Sequence, residues 1–171
     1  MTAYVALVRA VNVSGTGKLP KEELKAMGEA CGFNNARTFI NSGNLLFTSD
    51  LAESMVKKRV EERLDDYFGR AVPVHVRNAV EMAEAVKKSP FRDDPPNRVV
   101  ALFVDQKPTR AMLDAATGLD KERLEIGPRL IYIAYDEGMG QSKLKLPAMR
   151  EGTARNMNSV AKMAELLAGM E

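Results

Sequence analysis

The chain has 171 residues, 45% of them hydrophobic, which is enough for one large domain or two small ones with a sizeable core. Its 25 basic and 23 acidic residues nearly cancel to +2, and no long block of like charge occurs, so the footprint of a strongly nucleic-acid- or membrane-binding protein is missing. A single cysteine, Cys31, excludes an internal disulfide, and a single histidine, His75, argues against Ser-His-Asp catalysis and a multi-histidine metal site.

Ala3 to Val8 is too short for a secretory apolar core, is broken by Arg9 and has no basic segment before it. No stretch approaches the roughly 20 apolar residues of a membrane span. The expectation is a soluble cytoplasmic protein with no membrane partner.

Ala3 to Val11 reads as a nearly continuous apolar strand. Pro20 then opens a helix with Leu24, Met27 and Cys31 as its buried stripe, and Gly32 ends it. Arg37 to Ile40 and Leu45 to Thr48 are β-rich and flank Asn41-Ser42-Gly43-Asn44, which predicts a hairpin. Asp50 with Glu53 suggests a capping box for a helix whose buried face is Val56, Val60, Leu64 and Phe68, closed by Gly69. Val72, Val74 and Val76 alternate with Pro73, His75 and Arg77 as a half-buried strand.

That order, β-α-β-β-α-β, is the split-βαβ pattern. Asn78 and Glu81 start a further helix, and the stretch from Ser89 to Asn97 with its three prolines is the best linker candidate. The pattern then partly repeats. Val99 to Val104 is a strand, Pro108 or Thr109 starts a helix that Gly118 ends, and Arg123 to Ile126 and Leu130 to Tyr135 flank a second turn. Gly138 to Gly152 is irregular, and a final helix carries Val160, Ala164 and Leu167. The fold class expected is α+β, two ferredoxin-like (split βαβ) halves, the second incomplete and ending in a C-terminal helix. The division places one subdomain over 1–77, a helix and Pro-rich linker over 78–97, and a second subdomain over 98–171.

In such a fold the end of strand one and the turn after strand two share one sheet edge. Asn12, Ser42 and Asn44 are expected there, with Arg9 slightly inward; the plainer reading is that the Asn residues bond local backbone in turns. Arg9 ends an apolar strand where a core residue would fit, so a carboxylate or an anion should meet it.

The segment from Thr153 to Ser159 reads as the opening of the last helix, with Thr153 or Asn156 as its cap. Arg155, Asn158, Ser159 and Lys162 then share one face, near free N–H groups that favour phosphate or carboxylate. Asn156 belongs to the same candidate site. Gly138 to Lys143 suggests a backbone nest whose Ser142 and Lys143 would hold an anion, against the plainer reading of a flexible loop. Gly15-Thr16-Gly17-Lys18 is no phosphate loop, because Leu19 replaces the Ser or Thr.

Five segments carry a family resemblance: Ala6 to Val13, Arg37 to Asn44, Pro90-Phe91, Ser142-Lys143 and Thr153 to Ser159. In them the chain resembles a bacterial family catalogued as a domain of unknown function, number 1697. The family pattern has Gly at position 10, commonly Gln at 41, Trp at 157 and Thr at 159, where this chain has Ala10, Asn41, Met157 and Ser159. The resemblance implies an α+β protein with two ferredoxin-like parts and no established activity.

The functional expectation is a binding module for a small anionic ligand: a nucleotide, a phosphate-bearing metabolite or a short RNA. The residues that would hold it are Arg9, Asn12, Ser42, Asn44, Ser142, Lys143, Arg155, Asn156 and Asn158. The alternatives are a metal-free enzyme acting on a phosphorylated or carboxylated substrate, and an interaction protein forming a homodimer through edge strands. No cofactor is expected.

Overall fold

A computed structural model describes residues 1–9, 18–40 and 43–171. It divides into two compact units, Met1–Val80 together with Met163–Glu171, and Glu81–Lys162.

The first unit runs β1 (Thr2–Val8), α1 (Lys21–Ala30), β2 (Asn34–Thr38), β3 (Asn44–Ser49), α2 (Glu53–Phe68) and β4 (Val74–Asn78). Its four strands are antiparallel in the order β2-β3-β1-β4, the arrangement of a split-βαβ unit. Alternation sorts the side chains between two faces. Tyr4, Ala6, Val8, Leu45, Phe47, Val74 and Val76 meet the apolar stripes of α1 and α2 in one core. Phe33 stacks on Phe47 at 4.0 Å, and the Tyr4 hydroxyl donates to the Leu51 carbonyl at 2.8 Å. The chain's last residue is tied to the first strand, since the Ala3 N–H donates to Glu171 Oε1 at 3.0 Å.

Two local expectations change here. Ala52, not Asp50, stands at the N-cap of α2, without a side-chain bond, while Asp50 lies 3.5 Å from the terminal amine of Met1. β4 is buried on both faces rather than half-buried, with His75 at 3% and Arg77 at 1% exposure.

The second unit runs β5 (Val99–Phe103), α4 (Arg110–Asp114), β6 (Arg123–Gly127), β7 (Leu130–Ala134) and β8 (Thr153–Asn156), with sheet order β6-β7-β5-β8. Its order repeats that of the first sheet, but the second helix is missing. Between β7 and β8 the chain instead makes two short 3-10 helices, Met139–Gln141 and Pro147–Arg150, with an isolated bridge from Thr117 to Lys145. Val100, Leu102, Ile131 and Ile133 form its core with Leu113, Leu144 and Leu146.

A helix directly follows the last strand of each sheet: α3 (Ala79–Lys87) after β4 and α5 (Met157–Ala168) after β8. The Tyr132 hydroxyl donates to the Ala85 carbonyl of α3 at 2.6 Å, and burial pushes its phenol up to about 12. Among the described residues no helix is long and apolar enough to cross a membrane, and no group of three or more His, Cys, Asp or Glu could hold a metal ion.

Candidate functional site

The end of the first sheet joins three segments. Leu7 pairs with Asn44, the Val8 N–H donates to the Gly43 carbonyl at 2.8 Å, and the Arg9 N–H donates to the Pro73 carbonyl at 3.0 Å. The last residues of β1, the first of β3 and the entry to β4 therefore lie side by side. Asn44 is fully buried, and its Nδ2 donates to the Phe39 carbonyl at 2.9 Å. The Phe39 N–H returns a bond to the Asn44 carbonyl at 3.1 Å, closing the base of the hairpin. This amide serves its own turn. Gly43, at φ 78°, takes the left-handed conformation that glycine adopts without strain.

Arg9 is half-buried at this end. Asn12 and Ser42 lie outside the described residues, as do their neighbours from 10 to 17 and at 41, which connect in sequence to Arg9 and Gly43.

Ser142 and Lys143 border a cavity of about 300 Å³ in the second unit. Asp120, Glu122, Asp136 and Glu137 share that border with Lys121 and Lys143, and Lys121 is engaged by Glu137 at 2.7 Å. An anion entering there would meet a net negative field. The Ser142 hydroxyl donates to Glu122 and accepts from the Leu144 N–H at 3.2 Å, so both of its functions are in use. That hydroxyl, with the Asp120 N–H at 2.8 Å, holds the Glu122 carboxyl below its usual range. Lys143 is exposed at the rim.

The third group of expected residues needs a correction. Thr153–Asn156 is strand β8, not the first turn of the helix, and Arg155 sits opposite Ala101 of β5. Thr153 and Arg155 are buried while Ala154 is exposed, a period of two that the sequence conceals because an arginine occupies an inward position. Arg155 therefore does not share a helix face with Asn158, Ser159 and Lys162. Its Nη1 donates to the Ala154 carbonyl at 2.9 Å, and burial lowers its guanidinium to about 10.

Asn156 is the cap of α5. Its Oδ1 accepts from the Ser159 N–H at 2.9 Å, which occupies part of the anion-binding capacity of that helix end. Asn158 is exposed and borders an apolar cavity of about 190 Å³ with Val86, Phe91, Val99 and Met157. Two of the motif segments, Pro90-Phe91 and Thr153 to Ser159, converge at that cavity. Arg123, bonded to Asp94 and to Asp136 at 3.0 Å, covers the Phe91 ring at 5.0 Å.

Arg77 was not among the expected site residues. It faces Val5 across β4 and β1 as Arg155 faces Ala101 across β8 and β5. Each donates from Nη1 to the carbonyl of the residue before it, Val76 at 2.7 Å and Ala154 at 2.9 Å. The signal was an Arg-Asn pair at the strand-to-helix junction of both halves.

The comparisons agree with this fold. Residues 1–132 match the family described as a protein of unknown function, DUF1697, and the chain belongs to that family. Among solved structures it is similar to the conserved bacterial protein SP0830 from Streptococcus pneumoniae, with 23% identity, a TM-score of 0.82, and coverage of 98% of this chain and 99% of that one. No curated protein matches the chain.

Proposed function

We propose that this member of the family is a binding module for a small anionic ligand, seated at the end of the first sheet where Arg9, Gly43 and Asn44 lie side by side. The bond from the Val8 N–H to the Gly43 carbonyl, 2.8 Å, is the observation that carries the reading. It brings two polar segments distant in sequence to one edge of a rigid sheet, the usual arrangement of a binding site made from loops on a scaffold. Arginine supplies the cation suited to a phosphate or carboxylate, because its planar fork can bond two oxygens at once. Binding rather than turnover is the reading because Lys143, the acid or base an enzyme of this composition would rely on, is exposed at the rim of its cavity.

A thermal-shift series on the full chain with nucleotides, sugar phosphates and short RNAs tests it. A ligand at 100 times its Kd adds about 2.7 kcal/mol. The stabilisation should vanish in Arg9→Ala and persist in Lys25→Ala, an exposed cation on α1. A hit that Arg9→Ala leaves intact removes the site from this edge.

A further inference from the structure

Ile40 stands beside this site in a conformation that its side chain disfavours. Its φ is 48°, in the left-handed region, where a β-branched residue is a genuine outlier. It is also 49% exposed, so burial of its side chain offsets little of that strain. A turn needing only positive φ would be served better by Asn or Gly. Strain retained at an exposed apolar residue points to a contact made by that side chain.

The sheet fixes where the contact would lie. Phe39 pairs with Asn44, and Asn44 pairs with Leu7, so β3 separates the Ile40 end of β2 from the Arg9 end of β1. Two strand spacings amount to about 9–10 Å. A bare phosphate does not span that separation, whereas a phosphate carrying a sugar and a planar ring does.

We propose that Ile40 is the apolar contact for the ring of a nucleoside monophosphate whose phosphate is held on the Arg9 side. The inference rests on the anion-binding reading of this edge and deepens it by naming the ligand class. Ile40 supplies a surface for the ring face, and its strained backbone keeps that surface exposed.

Isothermal titration of the full chain with AMP and with ribose 5-phosphate separates the two readings, since the probes share the phosphate and sugar and differ in the ring. Wild-type protein should bind AMP about tenfold more tightly than ribose 5-phosphate, the ratio that corresponds to roughly 1.4 kcal/mol. Ile40→Asn, which tolerates positive φ, should keep or raise the melting temperature and bring AMP down to the affinity of ribose 5-phosphate. Arg9→Ala should lose both probes. An Ile40→Asn variant that keeps the wild-type preference for AMP, or that melts well below wild type, overturns the role of Ile40 and leaves the anion site standing. Undiminished binding of both probes by Arg9→Ala overturns the anion site, and with it the inference. Wild-type protein that binds ribose 5-phosphate and binds AMP no more tightly overturns the inference alone, and wild-type protein that binds neither probe overturns both.

Discussion

Asn44 and Phe39 exchange two hydrogen bonds, one from the Asn44 side chain at 2.9 Å and one from the Phe39 backbone at 3.1 Å, and so close the base of the hairpin beside Arg9. Asn44 is fully buried, and its bond to the Phe39 carbonyl is part-buried. The pair sets the positions at which the chain leaves the sheet after Phe39 and re-enters it at Asn44.

Asn44→Ala should therefore destabilise the first unit by about 0.5–1.5 kcal/mol, the net contribution of a part-buried hydrogen bond. Asn44→Asp adds a sign that depends on pH. A carboxylate facing that carbonyl is disfavoured, so its folded pKa rises above the unfolded value of about 3.9. A raised folded pKa gives stability that is present at low pH and lost as pH rises through it. In urea titrations Asn44→Asp should be at least as stable as Asn44→Ala near pH 4 and less stable near pH 7. The same order at both values would mean that the side chain does not face the carbonyl.

Much of this architecture was legible because local chemistry and tertiary position agree. The stripes Leu24, Met27, Cys31 and Val56, Val60, Leu64 follow helical spacing and enter one core, and Gly69 stops α2 in the left-handed conformation expected of it. Strand β8 was not legible. Its inward positions are Thr153 and Arg155, so alternation of polarity fails as a signal, and its identity comes from pairing with β5. The cavity beside Ser142 and Lys143 was half legible. The loop named itself by its glycines, but Asp120, Glu122 and Tyr135 reach the same border from other segments, and only the fold brings them there.

Three glycines separate conformational strain from steric overlap. At Gly118, φ is 69° and a Cβ would lie 2.1 Å from the Lys143 carbonyl oxygen. At Gly69 the φ is equally positive with nothing within 4 Å, and at Gly140 there is neither positive φ nor a neighbour. Alanine should cost within about 0.5 kcal/mol at Gly140, about 1 kcal/mol at Gly69, and about 3 kcal/mol or more at Gly118, where backbone must move. Chemical denaturation of the three variants checks the order. Equal losses at Gly69 and Gly118 would mean that the Lys143 backbone yields freely.

The Ser142–Glu122 contact predicts a titration. With the hydroxyl and the Asp120 N–H as donors, the Glu122 carboxyl is held below its usual value. A lowered folded pKa contributes stability above the unfolded pKa that is lost as pH falls through the folded one. Ser142→Ala should shift the Glu122 midpoint upward in a carbon-detected NMR titration, and only part of the way, because the backbone donor remains. An unchanged midpoint would assign the whole effect to the backbone of residues 120 to 122.

Arg155 gives the sharpest dependence on pH. Burial lowers its pKa to about 10, and the guanidinium stays charged at neutral pH and carries a desolvation cost there. Lysine at the same place would feel the same burial without the delocalised charge or the fork that reaches the Ala154 carbonyl. Its folded pKa should fall well below the unfolded value of about 10.4. The unfolded state then binds more protons than the folded one between those two values, so stability rises with pH across that window. Arg155→Lys should be clearly less stable than wild type at pH 7 and recover part of the difference by about pH 9.5, while wild type changes little at this position. Urea midpoints at the two pH values give the answer. A gap that widens toward the higher pH would mean that the substituted lysine gains from its charge, and that the surroundings of this position hold a carboxylate strong enough to outweigh burial.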